Sequence, residues 1–411
     1  MSPLEPPLGS SLVTSPAAAP GTSAVTRTGL TVRTITAEQH LQFLRAHAQR
    51  GGSASFLQTP AWGTVKREWR AESIGWFAPG ADAEPVGAGL VLYRQLPRVQ
   101  RFLAYLPEGP VIAWDTEDLR PWLDPLVAHA KQAGAFGVRM GPPVVMRRWD
   151  AAAVKQGVAD PAVRLLGEVP PTERSPAGFR VVSQLQELGW RPQAVAGGFA
   201  AGQPQYNFWV PLRSPDGSAR TEDDVLAGMN QQWRRNIKKA AKAGVEVTVG
   251  DPSGSDLDAF HALYVHTAQR DHFTPRPLSY FRTMFEALLA EEPDRIRLYL
   301  GRHEDDLVAA TVLVKVGGHT WYSYGASSTD KREVRGSNAV QWAMIRDAMA
   351  GGADVYDLRG ITDTLDPDDP HVGLIQFKVG TGGEAVEYAG EWDLPIRGLL
   401  YKAFSVYMSR R

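Results

Sequence analysis

The order of strand-like and helical segments runs through this chain twice, and that repeat constrains the fold more than any single motif. In the first pass Leu30–Thr36 is strand-like, Ala37–Gln49 is helical, and Trp62–Arg70 reads as a second helix after a loop. Strand-like Pro85–Tyr93 and Val99–Leu106 follow, then a helix over Leu119–Gly134 and a strand over Ala135–Met140 that stops at Gly141-Pro142-Pro143. A looser stretch carries Pro170-Pro171 and a helical Phe179–Leu188, and Gln205–Leu212 reads as the strand that closes this unit. A turn-rich Arg213-Ser-Pro-Asp-Gly-Ser218 breaks the pattern, and a helix opened by Thr221, Asp223 and Asp224 starts the second pass. There the order is strand Val245–Val249, helices Asp256–Arg270 and Pro277–Ala290, strands Ile296–Gly301, Leu307–Val316 and His319–Tyr324, helix Asn338–Gly351 and strand Val355–Leu358. Glu384–Glu391 is a last strand before an amphipathic helix from Ile396. The expectation is a mixed α/β fold made of two similar units, with no repeat visible residue by residue.

At 411 residues the chain has enough material for a core in each unit. Its 44 Lys and Arg against 45 Asp and Glu leave a net charge of -1, so a nucleic acid or a membrane would have to be met by a local patch. There is no cysteine, which removes disulfides, thiolate nucleophiles and cysteine-ligated metals. Residues 1–29 are rich in Pro, Ser, Ala, Thr and Gly, with no basic residue before Arg27, and read as a disordered tail rather than a signal peptide. The longest apolar run, Leu307–Val316, is short and contains Lys315, so no membrane span is expected.

Familiar cofactor and metal motifs are missing: there is no phosphate-cradling Gly-x-x-x-x-Gly-Lys, no Gly-x-Gly-x-x-Gly after a strand and no His-Glu-x-x-His. His261, His266 and His272 lack metal-ligand spacing, and the acidic run Asp363, Asp366, Asp368, Asp369 is interrupted by Pro367 and Pro370. Neither a metal nor a cofactor is expected. Two segments carry chemistry. Arg234, Arg235, Lys238, Lys239 and Lys242 put cations on adjacent faces of one helix, which suits a polyphosphate backbone and equally suits a solvated helix end. Gly373-Leu-Ile-Gln-Phe377-Lys378-Val-Gly380-Thr-Gly382-Gly383-Glu384 sets one cation and one aromatic beside glycines that would let a ligand approach the backbone; a hairpin with a surface lysine is the other reading.

Six segments in order give the chain a wider likeness. They are Phe56-Leu-Gln-Thr-Pro-Ala-Trp62-Gly-Thr-Val-Lys66, Tyr105-Leu-Pro-Glu-Gly-Pro110, the basic run from Arg234 to Gly244, Tyr322-Ser-Tyr324-Gly-Ala-Ser-Ser, Tyr356-Asp357-Leu-Arg-Gly360-Ile, and Phe377-Lys378 with Gly382-Gly383. Together they resemble the Fem family, aminoacyl-tRNA-dependent transferases that build the interpeptide bridge of bacterial peptidoglycan. The tail to Arg27 and the stretch from about Ala152 to Gly178 fall outside the likeness. It implies two tandem GNAT-like domains, 30–212 and 213–391, with the C-terminal segment 392–411 returning to the first. With no sustained heptad stretch, it also implies the compact FemX-type architecture without a long coiled-coil arm.

The resemblance further implies an acceptor, lipid II or UDP-MurNAc-pentapeptide, whose pyrophosphate would meet Lys66, with Arg276, Tyr280 and Tyr105 as further contacts and Tyr324 facing the cleft. Lys378 matches the family lysine at the transfer centre, where an ammonium would stabilise the oxyanion formed as an amine attacks the aminoacyl ester, with Phe377 as packing support. An acid such as Asp115 would take the proton of the amine. Arg234, Arg235, Lys238, Lys239 and Lys242 would contact the tRNA. Glycine, alanine or serine would be the amino acid transferred, in the cytoplasm; the amphipathic C-terminal helix, with Lys402, Arg410 and Arg411, is expected to dock against the first domain, peripheral contact with the inner face of the membrane being its other use. An acyl-CoA-dependent GNAT N-acyltransferase is the rival within enzymes, weakened because Arg335-Gly336-Ser337-Asn338-Ala339 is a degenerate pyrophosphate loop. A non-catalytic tRNA- or precursor-binding protein is the rival of another class.

Overall fold

Two sheets built on one plan carry the chain in a computed structural model, which describes residues 29–80, 84–97, 99–193, 202–369 and 371–409. The tail before Gly29, expected to be disordered, lies outside the described residues. In the first sheet β1 (Thr31–Thr34), β2 (Arg70–Phe77), β3 (Gly87–Leu96) and β4 (Val99–Leu106) are antiparallel neighbours, and β5 (Ala135–Met140) joins β4 in parallel. Helices α1 (Ala37–Gln49) and α2 (Pro60–Val65) follow β1, and α3 (Arg120–Gln132) supplies the crossover that a parallel pair needs. Thr36 starts α1 with a capping box, its hydroxyl accepting from the Gln39 amide at 3.1 Å while the Gln39 side chain accepts from the Thr36 amide at 3.0 Å.

Between the two plans the chain forms β6 (Val145–Asp150), α4 (Ala151–Ala159), β7 (Glu173–Arg174), α5 (Pro176–Glu187), β8 (Arg191–Pro192), β9 (Tyr206–Pro211), α6 (Glu222–Gly228) and α7 (Gln231–Lys242). The second plan then repeats the first. Strands β10 (Val245–Gly250), β11 (Ile296–His303), β12 (Asp306–Val316) and β13 (His319–Ser327) are antiparallel neighbours, and β14 (Val355–Ile361) joins β13 in parallel. Helices α8 (Ser255–Asp271) and α9 (Leu278–Glu291) follow β10, and α10 (Gly336–Ala350) makes the crossover. The chain ends with α11 (Val372–Val379), β15 (Glu384–Tyr388), β16 (Trp392–Pro395) and α12 (Gly398–Ser409).

Each sheet borrows the strand beside its parallel pair from elsewhere in the chain. Strand β16, from the end of the chain, lies antiparallel to β5, whereas β9, which precedes the second plan, lies antiparallel to β14 and to β15. Gln205–Leu212, expected to close the first unit, therefore sits in the second sheet, together with β6 and β7. A shared core reinforces the exchange: Phe56, Leu57, Trp62 and Leu90 of the first plan are buried in one apolar cluster with Phe281, Met284, Val312 and Trp321 of the second. At its centre Trp62 and Trp321 both stand edge-on to Phe56, with ring centroids 5.2 and 5.3 Å away.

Three local expectations are corrected. The helix expected over Trp62–Arg70 stops at Val65, and β2 starts at Arg70, its later residues fully buried between β1 and β3. Strand β6 was invisible because Arg147 and Arg148 break its apolar pattern; both are neutralised across the ladder by Glu387 and Glu384 of β15. Glu384–Glu391 divides into β15 and a turn that leads to β16. The longest helix among the described residues has 17 residues, and none is long and apolar enough to cross a membrane.

Strand β16 is pinned by charge as well as by its ladder. Asp393, buried, accepts from Arg139 Nε at 2.7 Å and Nη2 at 2.8 Å, and also from the Tyr401 hydroxyl and the Gln193 amide. Asp393→Ala should therefore lower stability by about 3–5 kcal/mol, because it strands a half-buried guanidinium, while Asp393→Asn should cost less. Urea midpoints measured for the three proteins check this order.

Candidate active site

A cleft of about 970 Å³ opens where the two units diverge, lined from the first sheet by α2, β3 and β4 with α12 packed on them, and from the second unit by α9, β13, β14 and α11. It collects Lys66, Tyr105, Arg276, Tyr280, Tyr324 and Lys378 from positions more than 300 residues apart.

The Lys378 wall begins with a break in β14. The parallel pairing with β13 covers only Val355 to Asp357, and the register with β9 shifts between Asp357 and Gly360, where Arg359 takes a left-handed φ of 63°. That conformation turns the carbonyls of Arg359 and Gly360 out of the ladder, and Lys378 Nζ donates to them at 3.1 and 2.7 Å. Helix α11 delivers the lysine by burying Ile375 and Val379 in the core on either side of it. Phe377 packs against Trp233 with centroids 4.8 Å apart, and its carbonyl accepts from Trp233 Nε1 at 2.9 Å, so α7 holds α11 in place. Lys378 is 4% exposed, and burial pushes its amine down to about 7, with Asp357 opposing and Arg359 adding to the shift. The surface-lysine reading is thus overturned. So is the idea that the nearby glycines admit a ligand: a Cβ on Gly380 would strike Trp233, one on Gly382 the Gly228 carbonyl, and one on Gly383 the Trp209 carbonyl.

Elsewhere in the cleft Lys66 Nζ lies 5.6 Å from the centre of a Trp62 ring and 5.7 Å from the Tyr280 ring, and the Arg276 guanidinium is 5.4 Å from the same Tyr280 ring. The Tyr280 and Tyr324 hydroxyls are 3.0 Å apart, and His261 Nε2 meets the Arg276 carbonyl at 3.0 Å. Burial, and then the Arg276 charge, lower the Lys66 amine below its ordinary value. No carboxylate lies within 4 Å of either cation among the described residues. Two adjacent cations, backed by hydroxyls and ring faces and with no carboxylate in direct contact, Glu68 acting on Lys66 only at longer range, form a site for a polyanion.

The cleft also holds residues that pattern reading missed. Tyr105 donates to Glu391 Oε1 at 2.5 Å, and burial raises the Glu391 carboxyl above its ordinary range. Arg359 donates to Glu108 Oε1 at 2.9 Å and to Gln203 Oε1 at 3.1 Å. Neither Glu391 nor Arg359 stands in a pattern that marks it: one ends a strand-like run and the other sits inside one.

Two expected residues are placed elsewhere. Asp115 is 72% exposed, pairs with Arg180 at 2.5 Å, and lines a separate hollow beside Trp114 and Val181, because the loop after β4 carries it away from the cleft. Arg234 is turned back on its own helix pair, donating to the carbonyls of Leu226, Ala227 and Met229 at 3.4, 3.1 and 2.7 Å, so it caps α6. Arg235, Lys238, Lys239 and Lys242 remain exposed.

Two similar α/β units share one cleft, and likeness over most of the chain to lipid II:glycine glycyltransferases makes the protein an aminoacyltransferase. The chain belongs to the FemAB family, whose model matches residues 35–301 and 299–408. Among its relatives, the lipid II:glycine glycyltransferase of Staphylococcus epidermidis is 23% identical, with 89% of this chain and 93% of that protein covered. The enzyme of the same name from Staphylococcus aureus is also 23% identical, over 90% and 93%. A crystal structure of FemX superposes with a TM-score of 0.73 at 22% identity, covering 90% of this chain and 99% of that one.

The depressed Lys378 amine makes a stability prediction. The unfolded chain holds this proton up to about pH 10.5 and the folded chain only up to about 7, so wild-type stability rises with pH across that window and carries the full cost of the buried ammonium below it. Lys378→Met removes that cost but leaves two carbonyls short of a donor, at about 1–3 kcal/mol each. The stability of the variant relative to wild type should be highest near pH 6 and should fall as pH rises from 7 to 10. Tm measured across that range checks the sign.

Proposed function

We propose that the protein transfers an amino acid, glycine foremost with alanine and serine as the alternatives, from aminoacyl-tRNA to the side-chain amine of the third stem-peptide residue of a peptidoglycan precursor. The acceptor is lipid II or UDP-MurNAc-pentapeptide, both of which carry a pyrophosphate. One observation carries this reading: a single cleft is lined by a cation pair with no carboxylate in direct contact, Lys66 with Arg276, and by a buried amine, Lys378. The names of the staphylococcal relatives support glycine and lipid II.

In this scheme the precursor pyrophosphate lies against Lys66 and Arg276, with the Tyr280 and Tyr324 hydroxyls as donors. The stem amine attacks the ester carbonyl of the aminoacyl-tRNA; a C–N bond forms, the C–O bond to the terminal ribose breaks, and the ribose hydroxyl leaves with a proton. Two of the Lys378 ammonium protons are held by backbone carbonyls, which fixes the third on the developing oxyanion without reorganisation at the moment of reaction. The proton lost by the amine goes to Glu391, whose raised pKa suits it to that task better than a solvated carboxylate. Asp115, paired with Arg180, takes no part. The tRNA acceptor arm lies on Arg235, Lys238, Lys239 and Lys242, a contact to phosphates that is independent of sequence.

Transfer of radiolabelled glycine, alanine or serine from charged tRNA to each acceptor tests the reading, with an RNase-treated control and an acyl-CoA arm. RNase-sensitive label on one acceptor is expected; CoA-dependent acylation without tRNA would replace it with the GNAT N-acyltransferase, and precursor binding with no turnover would leave a binding protein. Lys378→Met should reduce kcat by at least about a thousandfold with precursor affinity kept, whereas Lys66→Ala should weaken precursor binding about tenfold or more. Equal loss of binding in both variants would sink this division of roles. Glu391→Gln should lower kcat about a hundredfold with little change in precursor affinity, measured by calorimetry.

A further inference from the structure

Helix α12 packs one apolar face on the fold and exposes apolar side chains along another. Phe404 is buried with Leu103 and Phe136, and Leu400 and Tyr401 pack onto the same small cluster. The opposite stripe is open: Leu399 is 88% exposed, Ala403 is exposed, and Val406 is 43% exposed, at spacings of four and three residues that line up along one side of a helix. A leucine at that exposure is not explained by the packing of the monomer.

Charge around the stripe is one-sided. Arg397 and Lys402 are exposed, and residues 396–406 include no Asp or Glu, in a chain whose overall net charge is -1. A second element adjoins it. The hairpin joining β3 and β4 packs Leu96 onto the Phe404 cluster, leaves Val99 44% exposed, and is followed by Arg101, with no acid between residues 94 and 106. The same α12 sends Phe404 and Ser405 to the wall of the cleft.

From these observations we infer that α12 and the β3–β4 hairpin form a docking surface for an anionic lipid bilayer, which sets the mouth of the cleft at the membrane where a lipid-linked acceptor lies. The inference rests on the acceptor reading given above and selects its membrane-bound form. An exposed apolar stripe bracketed by cations is what an interfacial helix needs: the side chains enter the headgroup boundary and the cations meet anionic lipid. A second copy of the chain fits the surface poorly, because a two-fold contact would bring the same cations face to face.

Flotation of the full-length protein with vesicles tests this, comparing phosphatidylcholine alone with phosphatidylcholine containing 30% (about one lipid in three) phosphatidylglycerol. Wild type should float with the anionic vesicles, and do so less at high salt. Leu399→Ser with Val406→Ser, and separately Arg397→Glu with Lys402→Glu, should each weaken that association about tenfold or more. Both double variants should transfer to soluble UDP-MurNAc-pentapeptide as wild type does and lose transfer to lipid II in vesicles. Wild type that stays with the soluble fraction, or variants that float as well as wild type, would overturn the proposal. So would a vesicle-free dimer, seen by light scattering, that dissociates on Leu399→Ser. Wild-type flotation without transfer to any acceptor would instead defeat the proposed activity and leave the docking surface standing.

Discussion

Neither sheet of this protein is complete within its own repeat, and most of the architecture follows from that dependence. The five strands of each plan end on a parallel pair whose outer member needs a further neighbour, since an open edge exposes a row of unpaired amides and carbonyls. Strand β16 meets that need for β5, and β9 meets it for β14. The chain must therefore cross between units before the second plan begins and again after it ends. These crossings, with the buried cluster around Phe56, Trp62 and Trp321, hold the units at one spacing and leave a cleft where their surfaces part.

The chemistry of the cleft comes from the same economy of backbone partners. Where β14 parts from β13 after Asp357 and shifts register against β9, the carbonyls of Arg359 and Gly360 take a donor from outside the sheet, and a buried carbonyl without one is costly. Lys378 is the donor. Its burial brings the amine down to about 7, so that the charge it offers is weakly held, poorly solvated and aimed. Elsewhere in the cleft Lys66 and Arg276 show the opposite arrangement, two cations with no carboxylate in direct contact and propped on aromatic rings. One part of the cleft stores a directed proton donor and the other stores charge with no carboxylate in contact. A substrate that brings a pyrophosphate to one and a carbonyl to the other satisfies both.

Much of this was legible residue by residue, and the failures share a cause. Strands β11 and β12 announce themselves as apolar runs because both of their faces are largely buried. Strand β6 does not, because its arginines are neutralised by glutamates more than 230 residues away. Helix α11 stayed ambiguous beside a hairpin because eight residues with glycines at both ends satisfy either pattern. Among the functional side chains, Lys66, Arg276 and Lys378 were picked out by likeness of segments and not by periodicity. Asp115 and Arg234 show the limit of that route: each is the right type of residue near the right place in sequence, and each spends its charge on a local partner, Arg180 in one case and the end of α6 in the other.

The sequence by itself determined the two-fold order of elements, the mixed α/β class, and the residue types available for an acceptor with phosphates, because helix and strand periodicities and local charge are properties of neighbouring residues. Only the tertiary structure decided which strand completes which sheet, that Lys378 is buried while Asp115 is exposed, and that Glu391 faces the cleft beside Tyr105. Those outcomes depend on desolvation and on partners brought from distant segments, and neither quantity exists until the chain has closed on itself.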